Sequence, residues 1–159
     1  MVDARITADN LGAWLIKCQP KANPELPRTI REGDPQPVTR WCVADNYRSR
    51  MMASGDRVVL WVSGDGRELA RGIWGLGWVT GQVPPMVDEL GAETGKLEVP
   101  LHLPLLSSGL TAETIRAAGI SDLEVLRLPQ GSNPSWVSVD QLTALGELLG
   151  DWPAFSAPT

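Results

Sequence analysis

The sequence predicts an α+β domain built on a small, curled, mixed or antiparallel β-sheet, and three observations carry that reading. Its apolar segments are short and separated by Gly- and Pro-rich connections. The strongest local pattern is a β-hairpin, with arms at 56–63 and 68–80 flanking Gly64-Asp65-Gly66. The helical patterns are three short pieces that interrupt strands, whereas a doubly wound fold alternates one helix with each strand. A chain of 159 residues allows one such domain.

Taken in order, 13–18 reads as the first strand, ended by Gln19-Pro20. Pro20, Pro24, Pro27, Pro35 and Pro37 follow closely, and because proline removes backbone donors and fixes φ the stretch reads as a loop. A second short strand is expected over 38–43. Asp45 is placed to cap a short helix over 46–52 that stops near Gly55. In the hairpin's second arm Gly72, Gly75 and Gly77 weaken a flat strand but let it coil, as at a small barrel's corner. Its register stays open, and a slip of one residue exchanges which of Trp61, Trp74 and Trp78 face inward. Residues 82–95 read as a loop or lid, and 96–106 as a strand made edge-like by Pro100 and Pro104. A short helix over 111–118 closes at Gly119, and 123–128 reads as strand. The last helix is the clearest: Ser138 and Gln141 form a capping-box pair, Leu142, Leu145, Leu148 and Leu149 supply one apolar face, and Gly150 stands at C′.

Composition narrows the chemistry. Hydrophobic residues at 43% and charged residues at 21% describe an ordinary folded chain. No apolar run approaches the roughly 20 residues that span a bilayer, and the start of the chain lacks a signal peptide's apolar stretch, so a cytoplasmic protein is expected. Two cysteines and one histidine make a disulfide scaffold or a zinc site poor readings, and His102, within an apolar strand, is a poor catalytic base. No cofactor is expected, because Walker, Rossmann and HExxH patterns are absent, and Gly72, Gly75 and Gly77 lie inside a strand rather than before a helix. The net charge of −5 is uneven: residues 1–81 hold 11 Lys or Arg against 9 Asp or Glu, and 82–159 hold 3 against 10. Any basic face therefore belongs to the first half, where Arg40, Arg48, Arg50, Arg57 and Arg71 stand in or beside apolar segments. Seven tryptophans against one tyrosine and one phenylalanine suit either an aromatic core or a pocket for a planar ligand.

Three separate blocks carry more specific information. Trp14-Leu15-Ile16-Lys17-Cys18-Gln19-Pro20, then Trp41-Cys42-Val43-Ala44-Asp45-Asn46-Tyr47-Arg48-Ser49-Arg50, then Leu60-Trp61-Val62-Ser63-Gly64 followed by Gly72-Ile73-Trp74-Gly75, resemble in order and spacing the EVE domain family. That family belongs to the PUA-like superfamily and is a relative of YTH domains. The resemblance runs over about 11–152, and the capped last helix after Asn133-Pro134-Ser135-Trp136-Val137 agrees with it. It divides the chain into an N-terminal extension (1–10), the EVE domain (11–153) and a C-terminal tail (154–159). It implies a PUA-like small curled mixed β-barrel with short helices packed around it, and a pocket for a modified nucleobase extruded from DNA or RNA.

By the same resemblance Trp41 matches the cage tryptophan of YTH relatives. Gln19 lies where relatives carry asparagine and would read a base edge, Lys17 would meet a phosphate or base oxygen, and the backbones of Cys18 and Cys42 would line the pocket. Asn46 and Tyr47 match the family's Asn-Tyr pair, and Ser63 ends its strand facing the site. Residues 82–95 contain no aromatic to supply a second wall, so Trp14, Trp61 or Trp74 would have to provide it. In the coiled hairpin, Trp61, Trp74 and Trp78 read as core before ligand wall, and Trp136 and Trp152 as helix packing. Arg40, Arg48 and Arg50 would contact the nucleic-acid backbone. The expectation is a monomeric, bacterial, non-catalytic module that reads a methylated or hydroxymethylated base in DNA, with any nuclease or motor on a separate partner chain. One rival is an RNA-binding PUA-like domain; the other is a nucleoside- or amide-processing enzyme using Lys17 and Asp45.

Overall fold

A computed structural model describes residues 5–82, 85–87 and 89–155, and the side chains of these except at 85–87, 93 and 94. The expected N-terminal extension, C-terminal tail and 82–95 lid lie partly outside the described residues. The fold is α+β. Among the described residues eight strands form one mixed sheet: β1 (Leu11–Cys18), β2 (Val38–Ala44), β3 (Arg57–Val62), β4 (Gly72–Val79), β5 (Pro85–Val87), β6 (Glu93–Leu103), β7 (Leu105–Thr111) and β8 (Ser135–Ser138). Five short helices accompany it among the described residues: α1 (Glu25–Arg31), α2 (Tyr47–Met51), α3 (Ala112–Ala117), α4 (Glu124–Arg127) and α5 (Val139–Leu149). The strand order is β2-β6-β4-β3-β1-β8, with β5 added on β6 and β7 on β4.

Inside the sheet β1 and β3 form its parallel pair, in register from Trp14 opposite Val58 to Cys18 opposite Val62. Strands covered on both faces need an unbroken apolar run, and these two have one. Trp14, Ile16, Val58 and Leu60 enter one core together with Val43 of β2 and Leu97, Val99, Leu101 and Leu103 of β6. Ala13, Leu15, Val59 and Trp61 enter a second core, closed by Ile115 of α3, Val125 of α4 and Leu145 of α5. Because the first core takes in both β1/β3 and β2/β6, the sheet curls over it. No ladder joins the end strands β2 and β8 among the described residues, so the backbone pairing of the sheet stays open.

The hairpin register is now fixed. Val59 lies opposite Leu76 and Leu60 opposite Gly75, but Trp61 lies opposite Ile73, so Trp74 is the extra residue of a bulge. The bulge turns Trp74 onto a small cluster with Val62 and Leu69. Gly75 and Gly77 serve close approach as much as coiling: a Cβ at Gly77 would strike the backbone of His102 and Leu103, and one at Gly75 the Leu103 side chain. Gly77→Ala is expected to cost about 1–3 kcal/mol, the usual penalty of overpacking, measured by chemical denaturation. A wild-type midpoint in that variant would mean that β4 and β6 part freely.

Five local expectations are corrected. The Pro-rich stretch contains α1, because Pro27 sits in the first turn, where backbone N–H groups have no intrahelical acceptor in any case. Asn46, not Asp45, caps α2, its Oδ1 accepting from Arg48 N at 3.0 Å and Ser49 N at 3.2 Å, while Asp45 pairs with Arg50 Nε at 2.9 Å. Within 82–95 the chain forms β5 and begins β6. The expected strand over 96–106 is interrupted at Pro104, after which β7 continues along β4. Residues 124–127 form the single helical turn α4 rather than a strand, and β8 was too short to show a period.

Candidate functional site

The C-terminal end of β1 meets β2 at a cleft of about 480 Å³, lined by Trp41, Lys17, Gln19, Asn133, Cys42, Arg40 and their neighbours Ala22, Asn23, Lys96 and Glu98. Trp41 stands opposite Val99 of β6, and is half-buried against the first core. Three cations and one carboxylate line the cleft, and Arg40 reaches Glu98 only at 3.9 Å, with 74% of its own side chain exposed. The remaining positive charge is therefore available to an anionic ligand.

Asn133 builds this end of the fold, and sequence reasoning had not assigned it a role. It falls in the β8 register opposite Lys17, but its side chain makes the two ladder bonds: Oδ1 accepts from Lys17 N at 2.8 Å and Nδ2 donates to Lys17 O at 3.2 Å. Its backbone carbonyl is thereby left to accept from Ala44 N of β2 at 3.0 Å. One residue thus spans the gap between β1 and the unpaired edge of β2. The visible signal was an Asn-Pro step just ahead of a strand, where proline stops regular pairing. Lys17 Nζ donates to Gly131 O, and burial lowers its pKa, an effect partly offset by Glu124 and reinforced by Arg48.

The structure gathers Lys17, Gln19, Trp41, Cys42 and Arg40 at one cleft but takes the other expected residues elsewhere. Trp14 is fully buried and its Nε1 donates to Asp56 Oδ2 at 3.0 Å, so it is core. Cys18 is buried too, and its carbonyl accepts from Ser63 N at 2.9 Å and Ser63 Oγ at 3.1 Å. Ser63 accordingly faces a different cleft, of about 450 Å³, which shares Gln19 with the first. Asn46 is occupied in capping α2. Tyr47 lies under Arg5, 4.3 Å from guanidinium carbon to ring centroid, and packs on the first core. Arg50 is exposed beside Asp45. Arg48 is turned inward: Nη1 and Nη2 donate to Glu124 Oε1 and Oε2 at 2.6 and 2.8 Å, and Nη1 also donates to Pro134 O at 3.2 Å. A guanidinium so committed has no free fork for a phosphate.

No second tryptophan reaches Trp41's cleft. Trp61 is 2% and Trp74 8% exposed, the latter donating to Ala70 O at 2.7 Å. Trp78 and Trp152 meet edge to face at 6.4 Å beside Arg57, and Trp136 packs on the first core next to Trp14. The cleft therefore offers one aromatic surface, not a cage.

The two thiols differ sharply. Burial pushes Cys18 up to about 12, whereas Cys42 is exposed in the cleft. A thiol reagent at pH 8 is expected to modify one equivalent in the native protein, at Cys42, and the second only in denaturant, because the thiolate is the reactive species. Two equivalents under native conditions would contradict the burial of β1.

No family model matches the chain, and no curated protein matches it. The fold itself recurs in solved structures. One is the NMR structure of Rpa0253 from Rhodopseudomonas palustris, 18% identical, covering 89% of this chain and 97% of that one with a TM-score of 0.57. Another is the structure of a hypothetical protein from Leishmania major, 16% identical, covering 89% and 96% with a TM-score of 0.61. At these identities the likeness is one of fold, and the chain shares that fold along nearly the whole length of both proteins.

Proposed function

We propose that the chain is an EVE-type domain of the PUA-like superfamily, its curled sheet being the small barrel of that fold, and that it is a non-catalytic module holding a modified nucleobase, flipped out of DNA, against Trp41. One observation carries this reading: Trp41 is half-buried beside an open cleft lined by cations and amides, whereas Trp14, Trp61 and Trp74 are buried. A flipped base has lost its duplex stacking, and an aromatic side chain restores about 1–3 kcal/mol of it per base.

Selectivity has to come mainly from the polar edge. Burying one added methyl carbon contributes about 0.8 kcal/mol, roughly fourfold, and a single aromatic surface adds no enclosing shape. Asn133 spends its amide on β1, and Asn23 turns its own toward Gln19 O at 3.5 Å. The Gln19 side chain, exposed and sharing no hydrogen bond with another described residue, is the amide left to read a donor and an acceptor on one base.

Calorimetric titration with a panel of unmodified, methylated and hydroxymethylated nucleosides tests this directly. Gln19→Ala is expected to narrow the spread of affinities by up to about 1–3 kcal/mol, the worth of a good amide pair, while planar bases still bind. An unchanged order and spacing would remove Gln19 as the reader. Turnover of a nucleoside would establish the enzyme reading, and tight binding of unmodified RNA without nucleoside binding would establish the RNA reading.

A further inference from the structure

The second cleft, lined by Gln19, Ser63, Gly64, Asp65, Arg71 and Arg116 among others, has no role in holding a base: its tryptophan, Trp61, is 2% exposed. It does hold two exposed guanidinium groups with no ion-pair partner among the described residues. Arg71 precedes β4 and Arg116 lies in the last turn of α3, so the chain brings them together from 45 residues apart, by their numbers. The carboxylate in the same cleft, Asp65, is engaged by its own loop: Oδ1 accepts from Arg67 N at 3.0 Å, and Oδ2 lies 3.5 Å from Arg67 Nε. Glu113 lines the adjoining hollow with Arg71, but the two make no ion pair.

Two unpaired arginines in one concave site suit an anion with several acceptor oxygens. The neighbouring ligand says which. Gln19 lines both clefts, so a chain molecule whose planar group sits at Trp41 passes Gln19 to reach Arg71 and Arg116. We propose that this second cleft is a phosphodiester site that holds the strand next to the extruded base. The proposal rests on the base-binding reading and extends it: Trp41 and Gln19 select the base, while Arg71 and Arg116 contribute sequence-independent affinity. Both arginine side chains are exposed, and Arg71's structural bond, from Ala112 N to its carbonyl at 2.9 Å, is made by the backbone. Neutral substitutions therefore leave the fold in place.

The test uses the full chain, the double variant Arg71→Gln/Arg116→Gln, and a short unmodified single-stranded oligothymidylate titrated at several salt concentrations. Each phosphate contact on a single strand contributes about 0.7 to the slope of log affinity against log salt, so the double variant should lose about 1.4. In parallel, nucleoside binding by the same variant should equal that of the wild type, since Trp41's cleft is untouched. A wild-type chain that fails to bind the oligonucleotide, or a slope identical in the two proteins, overturns the phosphodiester site. A slope that falls as expected in a protein binding no nucleoside at all upholds this site and removes the base-binding reading instead.

Discussion

Trp41→Ala is expected to weaken binding of every base-bearing ligand by roughly 5- to 150-fold, the range that follows from about 1–3 kcal/mol of stacking per base. The loss should be similar for modified and unmodified bases, because stacking needs only a planar face. Phe or Tyr at this position should restore part of it for the same reason. The fold should survive, since Trp41 is half-buried at the edge of the first core and its side chain makes no hydrogen bond with another described residue. Trp14→Ala is the matched control. Trp14 is fully buried and bonded to Asp56, and such truncations cost about 3–5 kcal/mol. Thermal unfolding read beside the titration separates the two: a Trp41→Ala protein as unstable as Trp14→Ala would make Trp41 a core residue and withdraw it from the site.

A second large stability effect is expected at Arg48 and Glu124. Their side chains are 22% and 9% exposed, and Ser135 Oγ donates to Glu124 Oε1 at 2.9 Å, so α2, α4 and β8 meet at one ion pair. Removing a single partner leaves a buried charge without compensation, which costs about 3–5 kcal/mol. The residual exposure puts Arg48→Met near about 3 kcal/mol, or a fall in Tm of roughly 6–12 °C at this size. The same pair sets an acid limit. Burial opposes ionisation of Glu124, but hydrogen bonds from Arg48 and Ser135 and the attraction of Arg48 and Arg127 outweigh it and hold its pKa below the ordinary value. A depressed carboxylate contributes stability that is present in full above its unfolded pKa, about 4.3, and is lost as pH falls through the folded value. Wild-type stability should therefore decline below about pH 4.3, and Glu124→Gln should be less stable at neutral pH but flatter across that range. Calorimetric scans from pH 7 to pH 3 decide it, and equal pH slopes in the two proteins would show that Glu124 is not ionised by its surroundings.

What could be read in the sequence was whatever a short window records. The hairpin, the capping box of α5 and the apolar runs of β1 and β3 carry their own periods and turn residues, and each forms near where expected, although the hairpin's second arm begins at Gly72 rather than at residue 68 and its connection is correspondingly longer. The roles of individual residues were less legible, because they depend on partners far along the chain. Arg48 reads in the sequence as a contact for a nucleic-acid backbone, but Glu124, 76 residues on, takes its guanidinium. Trp14 and Trp41 open two similar blocks, yet one lies on a buried interior strand and the other on the end strand β2. Asn133 became significant only once β8 was seen to leave a ladder position for its side chain to fill. Arg71 had been noted beside an apolar segment, but its companion Arg116 lies in the acidic half, where net charge concealed it.

The most direct measurement is a crystal structure of the chain with a short single-stranded DNA carrying one 5-hydroxymethylcytosine. The modified base is expected to lie flat on the Trp41 indole, its edge within hydrogen-bond distance of the Gln19 amide and its sugar leading toward the cleft of Arg71 and Arg116. A strand bound with that base turned to solvent, or seated away from Trp41, would contradict it.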